Sequence, residues 1–106
     1  MQILGIIPAR GGSKGIIHKN LTPLGGKALI DWTIEVALQS KLTEVIVTSD
    51  CRMTLAHAHS KGAGTIVRPN NLSTDEAEML PVIKHATATY IRQSGNIPDA
   101  ICLLQD

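Results

Sequence analysis

Between Pro8 and Asn20 the chain reads P-A-R-G-G-S-K-G-I-I-H-K-N, which sets the cations Arg10, Lys14 and Lys19 and the hydroxyl of Ser13 among Gly11, Gly12 and Gly15. Glycines lack the Cβ that keeps a ligand away from the main chain, so backbone N–H groups can close around an anion while the cations neutralise it. The chemistry that suits such a stretch is the gripping of a phosphate chain, with Asn20 adding an amide. Spacing excludes two common phosphate loops. G-x-x-x-x-G-K-[ST] needs Lys directly after Gly12, where Ser13 stands, and G-x-G-x-x-G does not occur here. A solvated glycine turn with incidental lysines is the plain alternative that these residues alone leave open.

Other reactive side chains read more simply. His57 and His59 are two apart on a predicted helix, so they face different ways and make a poor metal pair; they read as surface or boundary residues. His85, beside Lys84, reads as partly buried packing, and His18 as solvent-exposed next to Lys19. Asp50 follows a predicted strand, where a carboxylate can hold metal or ribose or cap the next helix, and its role stays open. Asp75 and Glu76 are explained by capping and by the helix dipole. Cys51 and Cys102 show no C-x-x-C or His-Cys spacing, so they read as reduced thiols in or near the core rather than a zinc site or disulfide.

The elements that must position these residues follow from hydrophobic patterning. Ile3 to Ile7, closed by Pro8, is the continuous apolar run of a parallel strand covered on both faces. Ala9 to Asn20 reads as the loop at its carboxyl end. Leu29, Ile30, Ile34, Ala37 and Leu38 recur at helical spacing and predict a helix from about Lys27 to Ser40, flanked by Trp32. Glu44 to Thr48 predicts a second strand, Arg52 to Lys61 a helix with Gly62 at C′, and Thr65 to Val67 a third strand. Ser73 and Glu76 in capping-box spacing predict a helix start near Thr74 or Asp75. Pro81 would divide a first turn from a main helix over Leu80 to Arg92, which Gly95 and Pro98 end. Ala100 to Leu104 reads as a fourth buried strand. Strands alternating with helices, joined by right-handed crossovers, make an α/β fold: a three-layer α/β/α sandwich around a mainly parallel sheet, as a single domain over 1–106. Ligands of such sheets bind beyond the carboxyl ends of the strands, which gathers Arg10 to Asn20, Asp50, Arg68 and Gln105.

Composition narrows the partners. With 43% hydrophobic and 18% charged residues the chain supports a packed interior, and a net charge of +1 with 2% aromatic residues argues against nucleic acid. No apolar run approaches a membrane span and no export signal stands at the N-terminus, so a cytoplasmic protein without membrane contact is expected. A fourth strand with nothing beyond Asp106 to cover its edge suggests truncation of a longer protein after that strand.

Three ordered blocks resemble the acylneuraminate cytidylyltransferases, the enzymes that make CMP-sialic acid and its bacterial relatives. They are I-P-A-R-G-G-S-K-G-I-I-H-K-N at 7–20, V-I-V-T-S-D at 45–50 and R-P-N-N-L-S-T-D-E-A-E-M-L-P-V-I-K-H-A at 68–86, with L-L-Q at 103–105 similar to the start of the next block. The resemblance implies a Rossmann-like sheet of the nucleotide-diphospho-sugar transferase kind, with CTP and a nonulosonic acid as substrates. It implies nucleotide binding by Arg10, Gly11, Gly12, Ser13, Lys14, Lys19, Asn20, Arg68 and Ala77, the last two at cytosine largely through backbone groups. Arg10 and Lys19 would serve catalysis, and Gln105 would lie against the acceptor sugar. Mg²⁺ is the implied cofactor, with carboxylate ligands in the family's second half rather than in this chain, so no metal residue is assigned here. That second half also carries a dimerisation arm, which leaves a homo-oligomer open. The chain departs from the family in having Thr48-Ser49-Asp50 for Ser-Thr-Asp and Asp106 in place of a proline. Two other readings stand beside this one: a non-catalytic nucleotide-binding or interaction module derived from such an enzyme, and a cytidylyltransferase for the eight-carbon KDO, against which Arg68-Pro69 with Ser73-Thr74-Asp75 weighs.

Overall fold

The computed structural model describes residues 1–9, 12–13, 16–17, 23–24, 27–73 and 78–104. Strand β1 (Ile3–Pro8) lies inside a four-stranded sheet and is buried from Leu4 to Ile7. It is flanked by β6 (Glu44–Ser49) and β8 (Ala100–Leu103), and β7 (Gly64–Val67) pairs with the far side of β6, all in parallel. Two short antiparallel pairs precede the first helix: β2 (Gly12–Ser13) with β3 (Ile16–Ile17), and β4 (Pro23–Leu24) with β5 (Lys27–Ala28). Helices α1 (Leu29–Gln39), α2 (Arg52–Ser60) and α3 (Met79–Ser94) connect the parallel strands.

The layers follow from handedness. From β1 to β6 to β7 the chain steps one way across the sheet, and from β7 to β8 it returns past both; right-handed crossovers then put α1 and α2 on one face and α3 on the other. Side-chain alternation matches this. Ile7, Val45 and Val47 join Ile30, Ile34 and Ala37 of α1 and Ala58 of α2, while Leu4, Ile6, Ile46 and Ile66 join Ala86 of α3. A Cβ on Gly5 would come within 2.7 Å of Leu42 Cδ1, so glycine there lets the turn before β6 pack directly on β1.

Several boundaries differ from expectation. Helix α1 begins at Leu29 because Lys27–Ala28 is taken up in the β4–β5 ladder. Helix α3 begins at Met79, with Glu78 as its N-cap, one residue before the expected start of the main helix; the first turn expected from Thr74 or Asp75 lies outside the described residues. Pro81 is its third residue, where the N–H it lacks is among those that a first turn leaves without an intrahelical partner. The Ser73 hydroxyl donates to Pro69 O at 2.8 Å and closes the 3₁₀ turn over Asn70–Leu72; Glu76, its expected capping-box partner, lies outside the described residues. Gly62 is at C′ as expected, with φ +93°, and the bonds Gly62 N–H to His59 O and Ala63 N–H to Ala58 O form a Schellman motif.

The fourth strand is not buried. It is the sheet edge, with Ile101 42% and Leu103 37% exposed on the α3 side. On the α1 side Trp32, Thr33, Val36, Cys102 and Leu104 line an open, mainly apolar groove of about 420 Å³. Cys51 and Cys102 form no disulfide, and both are half-buried. Among the described residues no helix is long and apolar enough to cross a membrane.

Candidate functional site

Because the four long strands run parallel, their carboxyl ends Pro8, Ser49, Val67 and Leu103 lie at one edge, and the next residues are Ala9, Asp50, Arg68 and Leu104. The strands preceding each expected site segment therefore end together. Of the expected site residues, Gly12 and Ser13 lie in β2 and Arg68 follows β7; the stretch read as an open loop thus contains a short ladder, Gly12 opposite Ile17 and Ser13 opposite Ile16. Arg10, Gly11, Lys14, Lys19, Asn20, Ala77 and Gln105 lie outside the described residues, as do His18, Asp75 and Glu76.

Arg68 is 5% exposed and folds back across the tip of β6. Its N–H donates to Ser49 O at 2.8 Å, Nη2 donates to Thr48 O at 3.1 Å, and Nη1 reaches Leu72 O at 3.4 Å. A buried guanidinium is tolerated when its donors are answered, and these two carbonyls answer Nη1 and Nη2. Thr48 O also accepts from Ala9 N–H at 3.0 Å. One carbonyl of β6 is thereby shared by the residue that opens the glycine-rich stretch and by the residue that closes β7. Ser49, fully buried, accepts from Cys51 N–H through its hydroxyl at 3.0 Å and turns the chain out of β6. Helix α2 is capped at Cys51 without a side-chain bond, so Asp50, which is exposed, is not its N-cap.

A second polar pair was not legible in the sequence as a pair. Asp31, in the first turn of α1, is 3% exposed, and its Oδ1 lies 2.6 Å from Nε2 of His57 on α2. The carboxylate complements the N-terminal dipole of α1, and the imidazole ties that end of α1 to α2. His57 is thus a boundary residue with a defined partner, whereas His59 is exposed and His85 is half-buried on α3. Replacing His57 by alanine would leave the Asp31 carboxylate buried without this partner, at a cost of about 1–2 kcal/mol because His57 is itself one-third exposed. The expected fall in melting temperature is roughly 5–10 °C. A calorimetric double-mutant cycle with Asp31→Ala should return a coupling of at least about 0.5 kcal/mol; additive losses would show that the pair contributes nothing.

Among the described residues no three His, Cys, Asp or Glu side chains lie close enough to hold a metal ion. The groove beside β8 is lined by aliphatic and aromatic surface, so its chemistry suits packing and not an anion.

The strand-tip geometry can be set against known proteins. Residues 4–102 match the family model described as cytidylyltransferase. The chain belongs to this family. An N-acylneuraminate cytidylyltransferase of Escherichia coli O18:K1:H7 is 49% identical over 90 residues, covering 84% of this chain and 22% of the relative. A pseudaminic acid cytidylyltransferase of Campylobacter jejuni is 44% identical over 106 residues, covering 98% of this chain and 45% of the relative. The chain thus spans less than half the length of these two relatives. A solved structure of CMP:2-keto-3-deoxy-manno-octonic acid synthetase complexed with CTP superposes with a TM-score of 0.81 at 24% identity, over 99% of this chain and 40% of that one. That likeness shows the fold: a parallel sheet between helices, as the alternation of elements predicted.

Proposed function

We propose that this cytidylyltransferase-family chain is the nucleotide-binding part of an enzyme that couples CTP to a nonulosonic acid, giving the CMP-sugar and pyrophosphate. The observation that carries this reading is the run from Pro8 to Asn20 leaving a strand tip within a chain whose relatives of 49% and 44% identity are named for sialic and pseudaminic acids. A fold neighbour in complex with CTP adds support for the nucleotide. Its acceptor is KDO, but at 24% identity it does not argue for that sugar here.

In the proposed reaction the anomeric hydroxyl oxygen of the acid forms a bond to the α-phosphorus, the bond to the bridging oxygen breaks, and pyrophosphate departs with that electron pair. The hydroxyl proton passes to a base or to solvent. Arg10 and Lys19 would offset charge gathering on the phosphate oxygens, since positioning and electrostatics dominate such transfers. Gly11, Gly12, Ser13 and Lys14 would close on the triphosphate, Asn20 on the ribose, Arg68 and Ala77 on the base largely through backbone groups, and Gln105 on the sugar acid. Mg²⁺ would neutralise phosphate charge. The resemblance assigns its protein ligands to the part of the family beyond the stretch matched here.

The test is a thermal shift with Mg²⁺ and equal concentrations of CTP, UTP, ATP or GTP. CTP at about 100 times its Kd should stabilise the chain by about 2.7 kcal/mol, a rise on the order of 10 °C. Equal shifts with all four nucleotides would refute the reading. Selective CTP binding with no pyrophosphate released on adding N-acetylneuraminic acid would favour the non-catalytic module.

A further inference from the structure

We infer that the Arg68 side chain is a positioning residue, a brace that fixes the segments leaving β1 and β7 relative to each other and so sets the width of the proposed nucleotide cradle. This deepens the CTP-binding reading and rests on it for its ligand. The brace itself is visible without a ligand. Thr48 O accepts from Ala9 N–H at 3.0 Å and from Arg68 Nη2 at 3.1 Å, while Nη1 of the same guanidinium reaches Leu72 O at 3.4 Å. Ala9 is the last residue before the cation-and-glycine run, and Leu72 ends the 3₁₀ turn that leads toward Ala77.

A planar fork can hold two carbonyls at a set separation; an ammonium on a flexible stem serves one at a time. Arg68 is 5% exposed, so it offers little surface to a base, and its N–H is engaged by Ser49 O. A side chain that read cytosine would instead aim its donors outward. Here Nη1 and Nη2 go to the protein's own turn and strand tip. The guanidinium would therefore act on nucleotide affinity through the two segments it joins, with no contact to the base of its own.

Arg68→Lys keeps the charge and one donor and tests this by two readouts. In the ligand-free variant, hydrogen exchange at the amides of Ala9 and Ser73 should quicken by about tenfold, the equivalent of one lost charged hydrogen bond, while amides in the middle of α3 stay unchanged. In calorimetric titration, CTP and UTP should both weaken by about tenfold, so that their ratio holds. Unchanged exchange at Ala9 and Ser73 overturns the inference. So does a lowered melting temperature with CTP affinity within about twofold of the parent, or a loss confined to CTP, which would make Arg68 a base reader. If the parent chain binds no nucleotide selectively, the CTP reading fails and the exchange measurement still decides the brace. Should Arg68→Lys not fold, ¹⁵N spectra of the parent decide: a held guanidinium gives separate Nη1 and Nη2 signals, and one averaged signal refutes it.

Discussion

Replacing Ile6 and Ile7 together by alanine is expected to leave the ligand-free chain unfolded at room temperature, whereas either single replacement should leave it folded but weakened. Both side chains are fully buried, yet they serve different layers: Ile7 packs with Ile30 and Ile34 of α1, and Ile6 with Ile46, Ile66 and Ala86 of α3. Each truncation should cost about 2–5 kcal/mol for lost transfer energy and the cavity left behind. Because the two side chains lie in different clusters, the combined loss should clearly exceed the worse single one. Their sum, roughly 4–10 kcal/mol, meets the whole stability of a domain this small, which lies toward the low end of about 5–15 kcal/mol. Urea titration followed by circular dichroism measures all three variants. A double mutant no weaker than the worse single would mean that β1 does not separate two cores.

The strands and helices of that sandwich were legible because burial on both faces forces continuous apolar runs, as in L-G-I-I and V-I-V, and because α1 and α3 carry apolar residues at helical spacing. Where the reading failed, a neighbour decided what the residue type could not. A-I-C-L-L is as apolar as β1, but it pairs on one side only, and nothing in its composition distinguishes an edge from a centre. The Ser73 hydroxyl donates to Pro69 O, a local bond that such side chains commonly make and that the spacing to Glu76 does not announce. Pro8 closes β1, as expected, and is itself the last residue of the strand. Backbone groups of alternate residues face opposite neighbours, and with Leu104 N–H on Ile6 O and Ala9 N–H on Thr48 O, the missing N–H of Pro8 falls on the β8 side, where pairing ends.

The site was legible in its outline and not in its wiring. Spacing pointed to a strand-tip anion cradle, and parallel pairing puts the strands that lead into it at one edge. Nothing in R-P-N-N-L announces that the Arg68 guanidinium turns back onto Thr48 O, because that contact depends on the register of β6 against both neighbours. Asp31 was invisible for a related reason: a carboxylate in a helix's first turn is usually a dipole complement in solvent, and only the approach of α2 buries it against His57.

Arg10→Ala and Lys19→Ala are each expected to weaken CTP binding by about 10–100-fold, and together by about 10²–10⁴-fold, the loss associated with about 1.5–3 kcal/mol per charge-assisted hydrogen bond. The proposal assigns both cations to the triphosphate, so the loss should be confined to it: cytidine, which has no phosphate, should bind the variants within about twofold of the parent. Arg10→Lys should recover only part of the affinity, because an ammonium cannot take two phosphate oxygens at once as the guanidinium fork does. Salt gives an independent check, since each cation withdrawn from a polyanionic ligand should flatten the fall of affinity with ionic strength. Calorimetric titrations of CTP and cytidine at two salt concentrations measure all of this. Equal losses for the two ligands would place Arg10 and Lys19 at the nucleoside or in the fold's support, and the glycine-rich stretch would revert to the solvated turn that its composition also allows.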